Sequence, residues 1–353
     1  MKRESTPVAA PTPTRNQTVD LVKAVAIASV LLIHVSAGGL GGEVGSAEWI
    51  SCLFWGSVSR AAVPLFLMAS GALLLDPARD LTLKKLYTKN FLRLVAALLF
   101  WAVCYKVFHL LVWGQMTVSA LVQAAKEIFL FRHEEHLYYL HIMLLVYAFL
   151  PATRLVAAHA GRRQIEYLLG LWFLLGILYP TVKPFWPFTL LVGIPAQWLM
   201  NMTYASIGYT LLGHYLSVYY THSRQWIWTA MAGFLLTFGG TWAASEVAGK
   251  LDPHFLEGMG VGVCLLAVGI YGLCQSVFVS ERAEQALAYI SKASFCVFLT
   301  HIFFLKTFAC IGLSAQAGPA VFTVPLLSAL LLGCGCAAYA VLSRIPGVRR
   351  WLI

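Results

Sequence analysis

The strongest constraint on this chain is a succession of ten apolar runs, about 19–37, 50–75, 91–113, 137–158, 166–180, 202–219, 226–246, 258–279, 293–312 and 322–343. A hydrocarbon layer offers no water to backbone N–H and C=O groups, so a span of this kind must be a helix or a strand of a closed barrel. Most of these runs are about 20 residues long, the length of a transmembrane helix and about twice that of a transmembrane strand. The expected fold class is therefore all-α and integral to a membrane, a bundle of about ten helices. Composition agrees, since only 11% of residues are charged against about 25% in soluble domains. The reading divides the chain into a flexible tail, 1–14, and one membrane domain, 15–353.

The net charge of +10 does not mark a nucleic-acid binder. The basic residues sit in short loops beside the spans, where they set orientation. Fifteen fall on one side: Lys2, Arg3, Arg15, Arg79, Lys84, Lys85, Lys89, Arg162, Arg163, Arg224, Arg282, Lys292, Arg344, Arg349 and Arg350. Four fall on the other: Lys126, Arg132, Lys183 and Lys250. This asymmetry predicts both termini of a multi-pass protein in the cytoplasm. No cleavable signal peptide is expected. The eight cysteines lie inside apolar runs without metal-finger spacing, which reads as small buried filler. No metal is expected.

The first span carries Asp20, Lys23 and His34 in an otherwise apolar run. At about 100° per residue, Lys23 and His34 fall within roughly 20° of one another and Asp20 within about 40° of His34. The three share one face, with Lys23 and His34 roughly 16 Å apart along the axis. Ionisable groups in a span are costly and face a bundle interior or a watery cavity. A structural Asp–Lys pair with a satisfied core histidine is the competing account.

The second span places Arg60 near mid-bilayer, next to Pro64 and the close-packing pair Ser70–Gly71. A central arginine costs at least about 2.5 kcal/mol on insertion scales, so it needs a partner or an anionic ligand. Residues 79–93 form a basic amphipathic stretch suited to anionic lipid headgroups or to a phosphate-rich ligand, with Arg93 pointing into the bundle. Residues 117–132 read as an interfacial helix. Beyond them, Glu134, Glu135, His136 and His141 cluster with Tyr138, Tyr139 and Tyr147. A histidine beside carboxylates suits general acid–base work, and an aromatic interface belt is the alternative. The stretch 180–201, with four prolines and two tryptophans, reads as a non-helical segment that roofs a cavity. His301, central in the ninth span, reads as a buried hydrogen-bonding residue or a member of the cavity.

Together these motifs resemble the type-3 membrane acyltransferase family, bacterial inner-membrane O-acyltransferases. The matching stretches are Asp20, Lys23 and His34; SRAAVPLFLMASG, 59–71; HLYYL, 136–140, with Tyr147 and Pro151; and ISKASFCVFLTH, 290–301. The family usually carries arginine at the position of Lys23 and tyrosines where Phe295 and Phe298 stand. The closest likeness is to standalone polysaccharide O-acetyltransferases. The resemblance implies an acyl group, acetyl above all, taken from acyl-coenzyme A (acetyl-CoA) and passed to a hydroxyl of a cell-surface glycan or its lipid-linked precursor. On that reading His34 is the general base, Arg60 stabilises the oxyanion, and His136 with Glu135 or Glu134 orients His34 or protonates the leaving group. Arg15, Lys23, Lys84, Lys85 and Arg93 hold the coenzyme A phosphates. Asp20, Ser70, Tyr139 and His301 shape the cavity. Membrane lipids are the other expected partners. The alternative is a polytopic transporter or flippase for a small anionic or glycan substrate, and a ligand-binding sensor is a third class.

Overall fold

The computed structural model describes residues 16–112, 114, 116–220 and 225–353. The expected tail, 1–14, and Arg15 lie outside the described residues. Within them the chain is an all-α membrane bundle without strands. The helices that matter here are α1 (Gln17–Ala37), α2 (Ala47–Val58), α3 (Ala62–Leu74), α4 (Leu92–Val112), α5 (Val118–Phe129), α6 (Tyr138–His159), α7 (Arg162–Trp172), α8 (Met202–Tyr219), α9 (Gln225–Ala248), α10 (Val261–Ser276), α11 (Glu281–Cys310), α12 (Ala320–Leu342) and α13 (Pro346–Trp351).

Among the described residues nine helical stretches are long and apolar enough to cross a membrane. They answer to nine of the ten expected runs. The tenth, α8, is an 18-residue helix that falls outside those nine because its sequence mixes Tyr, Thr, Gly and His with its apolar residues. It tolerates that mixture because it is inside the bundle, with Tyr209, Thr210, Gly213 and His214 buried. Its neighbour is α3, and the two backbones approach closely through glycine. A Cβ on Gly71 would lie 1.9 Å from the Thr210 carbonyl oxygen, and one on Gly213 would lie 2.2 Å from that of Met68. Similar contacts join α9 to α10, where Gly233 meets the Leu266 backbone and Gly262 meets Thr237. Small residues let helices touch in a medium that gives little hydrophobic drive for association. The Gly71→Val variant is therefore expected to lose about 1–3 kcal/mol or more, because the atom it strikes is backbone. Thermal unfolding read by thiol labelling of the buried Cys52, Cys264, Cys274 and Cys296 measures it. An unchanged midpoint would contradict the close crossing.

Helix α1 is the hub and packs on α2, α3, α11 and α12. Asn16 caps its start by accepting from the Val19 N–H at 3.1 Å. The second span is broken at Ser59–Ala61. Pro64 fits the break: it has no N–H for the Arg60 carbonyl, and it sits in the first turn of the new helix, where a proline costs least. The last carbonyls of α3 are taken up by Arg154, which donates to Leu74 at 2.5 Å and Asp76 at 3.2 Å; its other nitrogen donates to Arg79 at 2.7 Å. Helix α5 forms within the stretch expected to be an interfacial helix and leaves most of its residues exposed. The Lys106 ammonium holds the Glu127 carboxylate below its ordinary range through a 2.5 Å hydrogen bond, and Gln123 adds a second at 3.1 Å. Residues 180–201 contain only short turns and expose Trp186 and Val192. They line a cavity of their own around Lys183, Phe188 and Ala196.

Candidate active site

Three histidines from three helical segments meet in the bundle interior. His34 comes from α1, His136 from the 3-10 turn Glu135–Leu137 before α6, and His301 from α11. Their ring centroids are 4.9 Å apart for His34–His301, 5.2 Å for His136–His301 and 6.4 Å for His34–His136. His136 and His301 are buried and His34 half-buried. His301 donates through Nδ1 to the Phe298 carbonyl oxygen, 2.7 Å away. A carbonyl only accepts, so that nitrogen carries the proton and Nε2 is left with its lone pair. The Nε2 atoms of His136 and His301 are both buried with no hydrogen-bond partner among the described residues. Buried polar atoms are rarely left so.

Arg60, at the joint between α2 and α3, lies within electrostatic reach of His34. Its Nε donates to the Leu256 carbonyl, in the loop between α9 and α10, which leaves its terminal nitrogens to serve another acceptor. Tyr138 and Glu257 are its electrostatic neighbours.

Beside the histidines stands an ionic cluster that the sequence did not announce. Glu134 accepts from Lys306 at 3.1 and 3.2 Å and lies 2.8 Å from His109 Nε2, which is 2.6 Å from Lys306 Nζ. Three segments are tied together there, and the turn carrying His136 is one of them. Tyr105 completes the support: its ring stacks on Phe303 at 3.9 Å and meets His136 edge-on at 5.0 Å, and its hydroxyl donates to Leu299 at 2.7 Å. Glu135 itself is exposed.

At the end of the bundle where α1 begins lies a cavity of about 760 Å³, lined by Lys23, Arg79, Lys89, Arg93 and Arg350 together with Ser70, Tyr147 and Phe295. Its size falls within the roughly 300–1,000 Å³ typical of small-molecule sites. Five cations in the lining favour an anionic ligand. Lys23 and Arg93 were expected here. Lys84 and Lys85 are exposed and outside the lining, and the reason is local. On a straight helix Lys85, Lys89 and Arg93 would form one stripe. The π-helical turn Leu86–Phe91 changes the phase, so Lys85 turns away and bonds the Asp80 carbonyl at 3.3 Å. Arg79 and Arg350 take part instead. The Arg154 bridge holds the first in place, and α13 carries the second back to the bundle. Arg93 donates to the Ile353 carbonyl and lies 5.8 Å from the Phe295 ring.

A second, smaller chamber of about 140 Å³ shares Lys23, Ser70 and Phe295 with that cavity and continues to Phe66, Tyr139, Ser294 and Phe298. Phe298 in turn lies 5.5 Å from His136 and 6.0 Å from His301. Cationic cavity, narrow chamber and histidines are thus arranged in series. Asp20 is on α1, half-buried, one turn before Lys23.

This arrangement, an anion cavity that leads to buried imidazoles and a guanidinium inside a helical membrane bundle, defines a membrane protein equipped for polar group chemistry. A family model described as an acyltransferase domain matches residues 16–340, and the chain belongs to that family, the acyltransferase 3 family. No curated protein and no solved structure matches it. The protein is accordingly a multi-pass membrane acyltransferase.

Proposed function

We propose that this acyltransferase moves an acetyl group from acetyl-CoA, bound at the cytoplasmic end of the bundle, to a hydroxyl of a cell-surface glycan or its lipid-linked precursor in a bacterial inner membrane. The observation that carries the reading is the series of cationic cavity, chamber and histidines. Phosphates of the donor suit the cavity wall of Lys23, Arg79, Lys89, Arg93 and Arg350, because charge-assisted hydrogen bonds to phosphate are the strong ones. The thioester end is uncharged, and it is narrow, as the chamber is.

A sugar hydroxyl is a weak nucleophile near neutral pH, and His34 takes its proton as the hydroxyl oxygen attacks the thioester carbonyl. Arg60 stabilises the negative charge that develops on the carbonyl oxygen, an effect worth most where water is excluded. The carbon–sulfur bond then breaks, and the sulfur takes a proton from an imidazolium, leaving an ester and the free thiol. His136 and His301, each with a buried and unsatisfied Nε2, flank His34 and hold that proton traffic. A two-step path through an acylated His34 uses the same groups.

The test is steady-state transfer in lipid nanodiscs with acetyl-CoA labelled in the acetyl group and a glycan fraction as acceptor. Product glycan is expected to gain one acetyl group in its mass spectrum. The Lys89→Ala and Arg350→Ala variants are expected to raise KM for acetyl-CoA roughly 10- to 150-fold, the loss of one charge-assisted contact of about 1.5–3 kcal/mol, with kcat changed far less. Normal KM values in both variants would remove the donor from this cavity. Substrate flux across proteoliposomes without acetyl transfer would favour the transporter reading instead.

A further inference from the structure

We infer that the aromatic end of the small chamber, Phe66, Tyr139 and Phe298, sets the longest acyl group this protein transfers. The inference rests on the proposed acyl-CoA donor. The chamber holds about 140 Å³, less than a fifth of the cationic cavity it opens from. Its far end is a wall of three rings with Tyr139 in contact with the other two: Phe66–Tyr139 at 5.9 Å and Tyr139–Phe298 at 5.3 Å. All three are buried. Phe298 is the ring at the histidine end of this wall, 5.5 Å from His136 and 6.0 Å from His301.

The direction of approach turns this wall into a ruler. An acyl thioester whose phosphates sit in the cationic cavity enters the chamber alkyl end first, with the carbonyl behind it. Each added methylene meets the rings before the carbonyl arrives and holds the reacting carbon farther from His34. A two-carbon group brings its carbonyl deepest. The rings are braced from behind by the histidine cluster and cannot yield as a lipid-facing side chain would, because packed interiors resist even one extra methylene. Lys23, Ser70 and Ser294 line the chamber as well, but its end is made of aromatic faces, and a saturated alkyl chain offers no hydrogen bond, so discrimination there is by length.

The experiment compares kcat/KM for acetyl-, butyryl- and hexanoyl-CoA in wild type, Phe298→Ala and Phe66→Ala. Wild type is expected to prefer acetyl over butyryl by at least roughly tenfold, the discrimination typical of a methylene in an apolar pocket. Either alanine variant is expected to raise the butyryl-to-acetyl ratio by a similar factor. The ratio is internal to each preparation, so partial misfolding lowers both rates and cancels; Phe298→Leu and Phe66→Leu serve if alanine prevents folding. An unchanged ratio in variants that still consume acetyl-CoA overturns the inference and leaves the donor assignment standing. A wild type that uses hexanoyl-CoA as well as acetyl-CoA overturns it too. A wild type that consumes none of the three overturns the donor assignment and the inference together.

Discussion

Replacing His34 by alanine is expected to lower acyl-transfer turnover by roughly 10²- to 10⁴-fold, the contribution of one positioned general base. His34 alone among the three histidines is only half-buried and within reach of the Arg60 guanidinium, which makes it the imidazole able to meet both acceptor and oxyanion. Donor affinity should hold, because the cationic cavity is lined without it. Calorimetry with coenzyme A alongside the turnover assay separates the two quantities. A His34→Ala enzyme that keeps more than a tenth of wild-type turnover would hand the base to His136 or His301.

The Arg60→Ala variant is predicted to lose roughly 10²- to 10³-fold in kcat, the usual effect of deleting one oxyanion donor. It also gives up the bond to Leu256, so a purely structural role must be told apart. A structural role loosens the loop between α9 and α10 and lowers the unfolding midpoint. A catalytic one shows in kcat at unchanged KM. The Arg60→Lys variant sharpens the distinction: an ammonium cannot both replace the Nε donor and present a planar fork to an oxygen. Full activity in Arg60→Lys would show that charge alone suffices there.

Much of this architecture was legible in the residues. Apolar run length located the spans, and the phase of α1 put Asp20, Lys23 and His34 on one face. Pro64 announced a disturbance in the second span, although the sequence could not say that it would be a full break at Ser59–Ala61. What stayed hidden depends on contacts between distant segments. His301 read as a core histidine with a hydrogen bond, and it has one; its place against His34 follows from α1 packing on α11. Glu134 and Glu135 both drew attention through their charge beside His136, and it is Glu134 that holds Lys306 and His109, partners no spacing announced. The basic run at 79–93 announced an anion site, yet the π-helical turn decided which of its lysines face it. No pattern in the sequence links Arg350 to Lys23.

The modest apolarity of α8 bears on how the molecule is made. A segment with so many hydroxyls, a histidine and two glycines gains little from lipid by itself. It becomes favourable in the bilayer only against a partner that already presents the complementary notch, and that partner, α3, leaves the ribosome well over a hundred residues earlier. Biogenesis is thereby ordered: the early half of the bundle acts as the docking template on which a reluctant later helix is accepted.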